Sequence, residues 1–139
     1  LHDALPISFG CAAHLAEGGT LTIITWGAMT HRCLEAARTF AGKIDILDLR
    51  TIIPWDQEMV LESVQKTGKM LIVHEDTLTA GFGAEIAAVV ASQAFTWLDA
   101  PIERLAVPDI PIPYNKHMME AVLPSITAIQ TKMSWLLNY

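Results

Sequence analysis

The feature that most constrains this chain is its alternation of short apolar or β-branched runs with segments of helical period. Residues 20–25 (TLTIIT), 44–49 (IDILDL), 70–74 (MLIVH) and 102–106 (IERLA) each have the length and composition of a strand. The run at 70–74 has no polar alternation at all, as expected of a strand covered on both faces. Between the runs lie residues 30–41, 57–66 and 82–94, whose apolar positions recur at helical spacing. Strands separated by helices of this size form βαβ units, which require a mostly parallel sheet with helices on both sides. Gly18-Gly19 reads as a tight turn, so residues 12–16 are predicted to form a short antiparallel edge strand before it. The predicted architecture is α/β: a three-layer α/β/α domain on a mostly parallel five-stranded sheet with one short antiparallel edge strand.

Boundaries follow from local chemistry. Thr30 is a candidate cap for the first helix, which buries Cys33, Ala36, Ala37 and Phe40 and stops at Gly42. Pro54 breaks the chain, Asp56 caps the second helix and Gly68 ends it. The third helix points Phe82, Ile86, Val89 and Val90 inward. Its other faces carry Ala87, Ala88 and Ala91, which calls for close packing on more than one side. Residues 108–113 (PDIPIP) are too proline-rich for a regular element. A last helix is predicted from Pro124, burying Ile126, Ile129, Met133 and Leu136.

The chain has 139 residues, the size of one domain, and no internal linker or repeat divides it. Residues 1–8 (LHDALPIS) match the translation of a sequencing-library adapter. They are expected to be a non-native leader, with the domain occupying 9–139. A net charge of -6 without any basic stripe argues against nucleic acid and for a basic partner. With 52% hydrophobic and only 17% charged residues, some apolar surface is expected to meet partners. No apolar run reaches the roughly 18 residues of a membrane span. Cys11 and Cys33 lack metal or redox spacing and are expected to be reduced thiols of a cytoplasmic protein. The histidines His2, His14, His31, His74 and His117 show no ligand spacing, so no metal site is predicted.

Ligands of such sheets bind at the carboxyl ends of the strands. After the first long strand, residues 26–30 (WGAMT) hold one glycine and neither a dinucleotide nor a Walker pattern. They either offer a helix N-terminus to an anion or make a tight turn. Arg50 could hold a phosphate or carboxylate, or pair with a nearby acid to tie loops. His74 and Glu75 could do acid–base work, or Glu75 could accept hydrogen bonds from neighbouring N–H groups. Gly81 and Gly83 permit close backbone approach, to a phosphate or to packed structure. Arg50, His74 and Glu75 thus stand as a candidate strand-end anion or structural site. Asp99 lies in a turn before the last strand, as a turn former or part of an acidic docking patch. The chain stays apolar through Leu136, Leu137 and Tyr139, as expected of a tail packed against something.

Residues 48–56 (DLRTIIPWD), 63–68 (SVQKTG), His74-Glu75 and 81–86 (GFGAEI) together resemble the transketolase C-terminal domain. The version they are most similar to is that of the E1 β subunit of 2-oxo acid dehydrogenase complexes. Residues 98–101 (LDAP), 108–114 (PDIPIPY) and the closing Asn138-Tyr139 extend the resemblance from about Gly10 to the end, with wording closer to branched-chain than to pyruvate enzymes. The resemblance implies a holoenzyme that uses thiamine diphosphate and Mg to decarboxylate a 2-oxo acid and pass the acyl group to lipoyl-E2. The cofactor and metal would be held by domains absent from this chain, which is expected to carry no cofactor and no catalytic residue, and to be inactive alone. Its partners would be the E1 α part, a second β part and the basic peripheral subunit-binding domain of E2. In relatives the acid of the Leu-Asp/Glu-Ala-Pro turn and the chain's terminal carboxylate meet that module; the matching positions are Asp99 and Tyr139. Two alternatives stand beside this reading: the equivalent domain of transketolase or deoxyxylulose-phosphate synthase, and an independent small-ligand-binding α/β domain.

Overall fold

The computed structural model describes residues 8–139. The expected leader therefore lies outside the described residues, except for Ser8, an exposed residue just ahead of the fold. Five strands, β1 (Ala13–Ala16), β2 (Leu21–Thr25), β3 (Ile44–Asp48), β4 (Met70–Thr77) and β5 (Glu103–Val107), form one sheet in the order β1-β3-β2-β4-β5. Strands β2 to β5 are mutually parallel, and β1 pairs antiparallel with β3 at the edge. The described residues form five α-helices: α1 (Ala28–Ala37), α2 (Gln57–Thr67), α3 (Phe82–Gln93), α4 (Lys116–Val122) and α5 (Ile126–Leu137).

The strand runs divide between two cores because successive side chains point to opposite faces. Leu21, Ile23, Ile44, Ile46, Leu71 and Val73 face α1 and α5, meeting Met29, Cys33, Ile129 and Met133. Ile24, Leu47, Met70 and Ile72 face α2 and α3, meeting Val60, Val64, Ile86 and Val90. Each Leu or Ile buried in this way contributes roughly 1.5–3 kcal/mol. The three-layer architecture is the predicted one.

Several boundaries differ from expectation, each for a local reason. The first helix begins at Ala28, not beyond a Thr30 cap, because Gly27 (φ 62) turns the chain two residues after β2. Thr30 lies inside the first turn, with its hydroxyl buried and without a hydrogen-bond partner among the described residues. Strand β4 continues to Thr77, past an irregularity in its register with β5. His74 and Glu75 therefore lie within the strand. Helix α5 is capped by Ser125, whose Oγ accepts from the Ala128 N–H at 3.1 Å. Pro124 stands just outside, its carbonyl taken by the Arg32 guanidinium at 2.9 Å. Helix α4 has no counterpart in the sequence reading; it buries no residue and so carries no apolar stripe to reveal it. Asn115 caps it, and Arg32 pins it to α1 through Glu120 at 2.6 Å. Val89 and Phe82 of α3 are half-buried, and the inward face is Gly83, Ile86 and Val90. The proline-rich segment is irregular, as predicted, and Asp109 clips it to the loop after β4 through Thr79.

Candidate functional site

Two places in the fold collect the residues singled out by sequence. The first is the carboxyl end of the central strands. There His74 is wholly buried against the start of α3, its ring stacked on Trp26 at 5.1 Å and 7°. Trp26 meets Phe82 edge-on at 6.0 Å, and Phe82 meets Trp55 at 6.3 Å, so four rings close this end of the sheet. Sequence reasoning missed Trp26 and Trp55; the aromatic spacing across three loops has no one-dimensional signature.

The glycines are explained by the same packing. A Cβ at Gly83 would overlap the His74 ring, and one at Gly81 would overlap the Thr77 carbonyl. Close backbone approach serves helix-on-strand packing. The Asp76 N–H donates to His74 Nδ1 at 3.2 Å, which leaves the proton on Nε2, and Nε2 has no partner among the described residues. Burial holds the His74 pKa below the ordinary histidine range; Asp76 opposes this and the positive charge of Arg104 adds to it. The folded state thus prefers neutral His74. Its contribution to stability is complete above the unfolded pKa of about 6.5 and falls as the pH drops below that value. The urea midpoint is expected to fall between pH 7 and pH 5, and to fall less in His74→Gln. An equal fall in the variant would assign the pH dependence to other groups.

Glu75 and Arg50 do not join His74 in a polar cluster. Glu75 is half-buried beside Gly27, and its carboxylate makes no hydrogen bond among the described residues. Arg50 is exposed at φ 58, with its backbone N–H donating to Asp48 Oδ1 at 3.1 Å. Its guanidinium has no acid within ion-pair distance among the described residues.

The second place is an open groove of about 570 Å³ lined by Ala87, Ala91, Phe95 and Leu98; Asp99 and Tyr139 also line it. Asp99 is exposed. Its N–H donates to the Gly68 carbonyl at 2.7 Å, and its carboxylate packs against Gly68, the left-handed cap of α2 (φ 71). That contact seats the turn, and any larger residue at 68 would dislodge it. Lys69, next to Gly68, donates to the Leu136 carbonyl at 2.9 Å, Arg104 donates to the Leu78 carbonyl at 2.7 Å, and Asp99 has no ion pair among the described residues. Tyr139 is held by its N–H to the Leu136 carbonyl at 3.3 Å and by edge contact with Trp135 at 5.1 Å.

Elsewhere, buried Asp45 accepts from Ser63 at 2.5 Å, Lys66 at 2.9 Å and the Gly18 N–H at 3.0 Å, and lies 2.9 Å from His14 Nε2. Thr22 joins Ser63 and Thr67 to this network at 2.6 and 2.7 Å. Three donors thus meet Oδ1 and one meets Oδ2, which ties β1, β3 and α2 together through one buried carboxylate. Cys33 is buried, and burial pushes its thiol up to about 12, which disfavours the thiolate. Among the described residues no three His, Cys, Asp or Glu side chains gather as a metal set, and no helix is long and apolar enough to cross a membrane.

The chain is thus a three-layer α/β domain with an aromatic cluster over its strand ends and a largely apolar groove lined by Asp99 and Tyr139. The transketolase C-terminal domain family matches residues 10–129, and the chain belongs to that family. It is 41% identical over 123 residues to the pyruvate dehydrogenase E1 component subunit beta of Rickettsia bellii, covering 86% of this chain and 38% of that protein. It is 44% identical over 115 residues to the mitochondrial 2-oxoisovalerate dehydrogenase subunit beta 2 of Arabidopsis thaliana, covering 80% of this chain and 32% of that one. Among solved structures, an inactive β4 tetramer of a split-gene transketolase shares the fold, with a TM-score of 0.82 and 22% identity over 97% of this chain and 44% of that one. The chain spans well under half of the relatives it matches.

Proposed function

We propose that this chain is the C-terminal domain, residues 9–139, of the β part of a thiamine-diphosphate-dependent 2-oxo acid dehydrogenase E1 component. The whole enzyme decarboxylates a 2-oxo acid and transfers the acyl group to lipoyl-E2. The β-subunit relatives of pyruvate and 2-oxoisovalerate dehydrogenases support this reading. Thiamine diphosphate supplies the carbanion chemistry from domains outside this chain, with Mg as its metal. This domain braces the E1 α part and a second β part, and the enzyme works in the cytoplasm of a bacterium.

Its own contribution is docking of the basic peripheral subunit-binding domain of E2. One observation carries this: Asp99 and Tyr139, far apart in sequence, line one groove. A fixed negative charge at an apolar groove steers a basic partner and sets its register. Asp99→Lys in the full-length enzyme is expected to leave the fold intact and weaken E2 binding at least tenfold, a loss of about 1.4 kcal/mol. Titration calorimetry against the E2 module checks it; unchanged affinity would remove the docking assignment.

A further inference from the structure

We infer that His74 is a proton-gated pin: in its neutral form it locks three loops at the carboxyl end of the sheet into one rigid face, and taking up a proton releases them together. The inference stands on the packing around the ring and is independent of the docking reading above.

The loops meet at this ring. The wholly buried imidazole is stacked on Trp26, from the β2–α1 loop, at 5.1 Å. Trp26 touches Phe82, the first residue of α3, at 6.0 Å, and Phe82 touches Trp55, from the β3–α2 loop, at 6.3 Å. Gly83 approaches Nε2 so closely that no side chain fits between them. The backbone departs from regular strand geometry here. The register of β4 with β5 breaks between Val73 and Thr77, and Ala80 is held at φ 61, a conformation its surroundings must impose. The same connection reaches the proline-rich segment: the Thr79 N–H donates to Asp109 at 2.8 Å, and Arg104 holds the Leu78 carbonyl at 2.7 Å.

This geometry accepts one protonation state. Nδ1 takes the Asp76 N–H at 3.2 Å, so a second proton, which must bind at Nδ1, sets two donors against each other and breaks that bond. The charged groups that face the ring are Asp76, on its own strand, and Arg104, from β5. Asp76 is exposed and its Oδ1 already accepts from the Thr77 N–H at 2.7 Å, while Arg104 repels a second positive charge. From the other elements, α3 meets the ring with the backbone of Gly81 and Gly83, and the β2–α1 loop meets it with the Trp26 indole. An indole face attracts a cation too weakly to replace the water an enclosed charge has lost. Hydrating the imidazolium requires Trp26 and the first turn of α3 to part. Phe82 joins both to Trp55, so the loops loosen as a unit once the pH falls below about 6.5, the ordinary histidine value.

The experiment is amide hydrogen exchange, read by mass spectrometry on the full-length enzyme across a pH series and corrected for the intrinsic pH dependence of exchange. Residues 25–30, 53–57 and 77–84 are expected to lose protection about tenfold between neutral and mildly acid pH, with one common midpoint, while α5 keeps its protection. His74→Gln, which cannot take up the proton, is expected to abolish the response. Asp76→Asn changes an exposed side chain and removes the acid that favours the imidazolium, so it should move the midpoint to lower pH. Asp76→Asn therefore decides the matter should thermal melting show that His74→Gln does not fold. Equal loosening of α5, separate midpoints for the three segments, a parental response in His74→Gln or an unshifted midpoint in Asp76→Asn would each overturn the inference.

Discussion

Asp45→Ala is expected to lower the unfolding free energy by about 3 kcal/mol, a large share of the roughly 5–15 kcal/mol typical of a domain. Asp45 is 1% exposed and is the acceptor on which Ser63, Lys66, His14 and the Gly18 N–H converge. Lys66 and His14 reach solvent and re-hydrate when the carboxylate is removed. Ser63 and Gly18 are buried, and each unsatisfied donor costs about 1–3 kcal/mol. Asp45→Asn retains one acceptor and loses less. Urea denaturation at pH 7 measures both; a loss below about 1 kcal/mol in the alanine variant would show that the network contributes little. The pH arm has a definite sign. Burial alone would raise the Asp45 pKa, but the hydrogen bonds from Ser63, Lys66, Gly18 and His14 outweigh it and hold the carboxyl below its ordinary value. Its contribution is complete above the unfolded pKa of about 3.9 and disappears as the pH falls through the lower folded value. The gap between parent and variant should narrow only in that acid range.

Gly83→Ala should destabilise the domain by about 2 kcal/mol, against the sign that helix propensity predicts. Alanine in place of glycine within a helix is ordinarily favourable by about 0.5–1 kcal/mol. Here the new methyl would overlap the His74 ring and lie 3.2 Å from Ile72 Cγ2. The ring cannot slide away, because its other face is stacked on Trp26. In a His74→Ala background the obstruction is gone, and the same substitution should become neutral or mildly stabilising. A double-mutant cycle reads this as a coupling of about 2 kcal/mol between positions 74 and 83. Additive effects would mean that α3 does not ride on His74.

The groove shows where reading along the chain stops. Asp99 and Tyr139 were named from motif resemblance, and each position alone is an exposed turn acid or an aromatic tail. Their shared groove joins the turn after α3 to the last residue of the chain, two segments far apart in sequence. Asp45 gives the opposite lesson. In Ile44-Asp45-Ile46-Leu47-Asp48 it reads as the polar alternate of a strand facing solvent, yet it is buried. Its clue was on another element: Ser63 and Thr67, one helical turn apart on α2, face it and Thr22. Helix α4 was invisible for a simpler reason, since a helix that buries nothing leaves no period.

The sequence by itself determined the layer architecture and the family. Continuous apolar runs in parallel strands, helical stripes between them and turn glycines are local signals, each satisfied by near neighbours in the chain. Tertiary structure alone decided which polar residues face one another: Asp45 toward Ser63, His74 beneath Gly83, Asp99 across from Tyr139. Those pairings are set by the sheet order β1-β3-β2-β4-β5, which brings together segments whose separation along the chain carries no trace of their meeting.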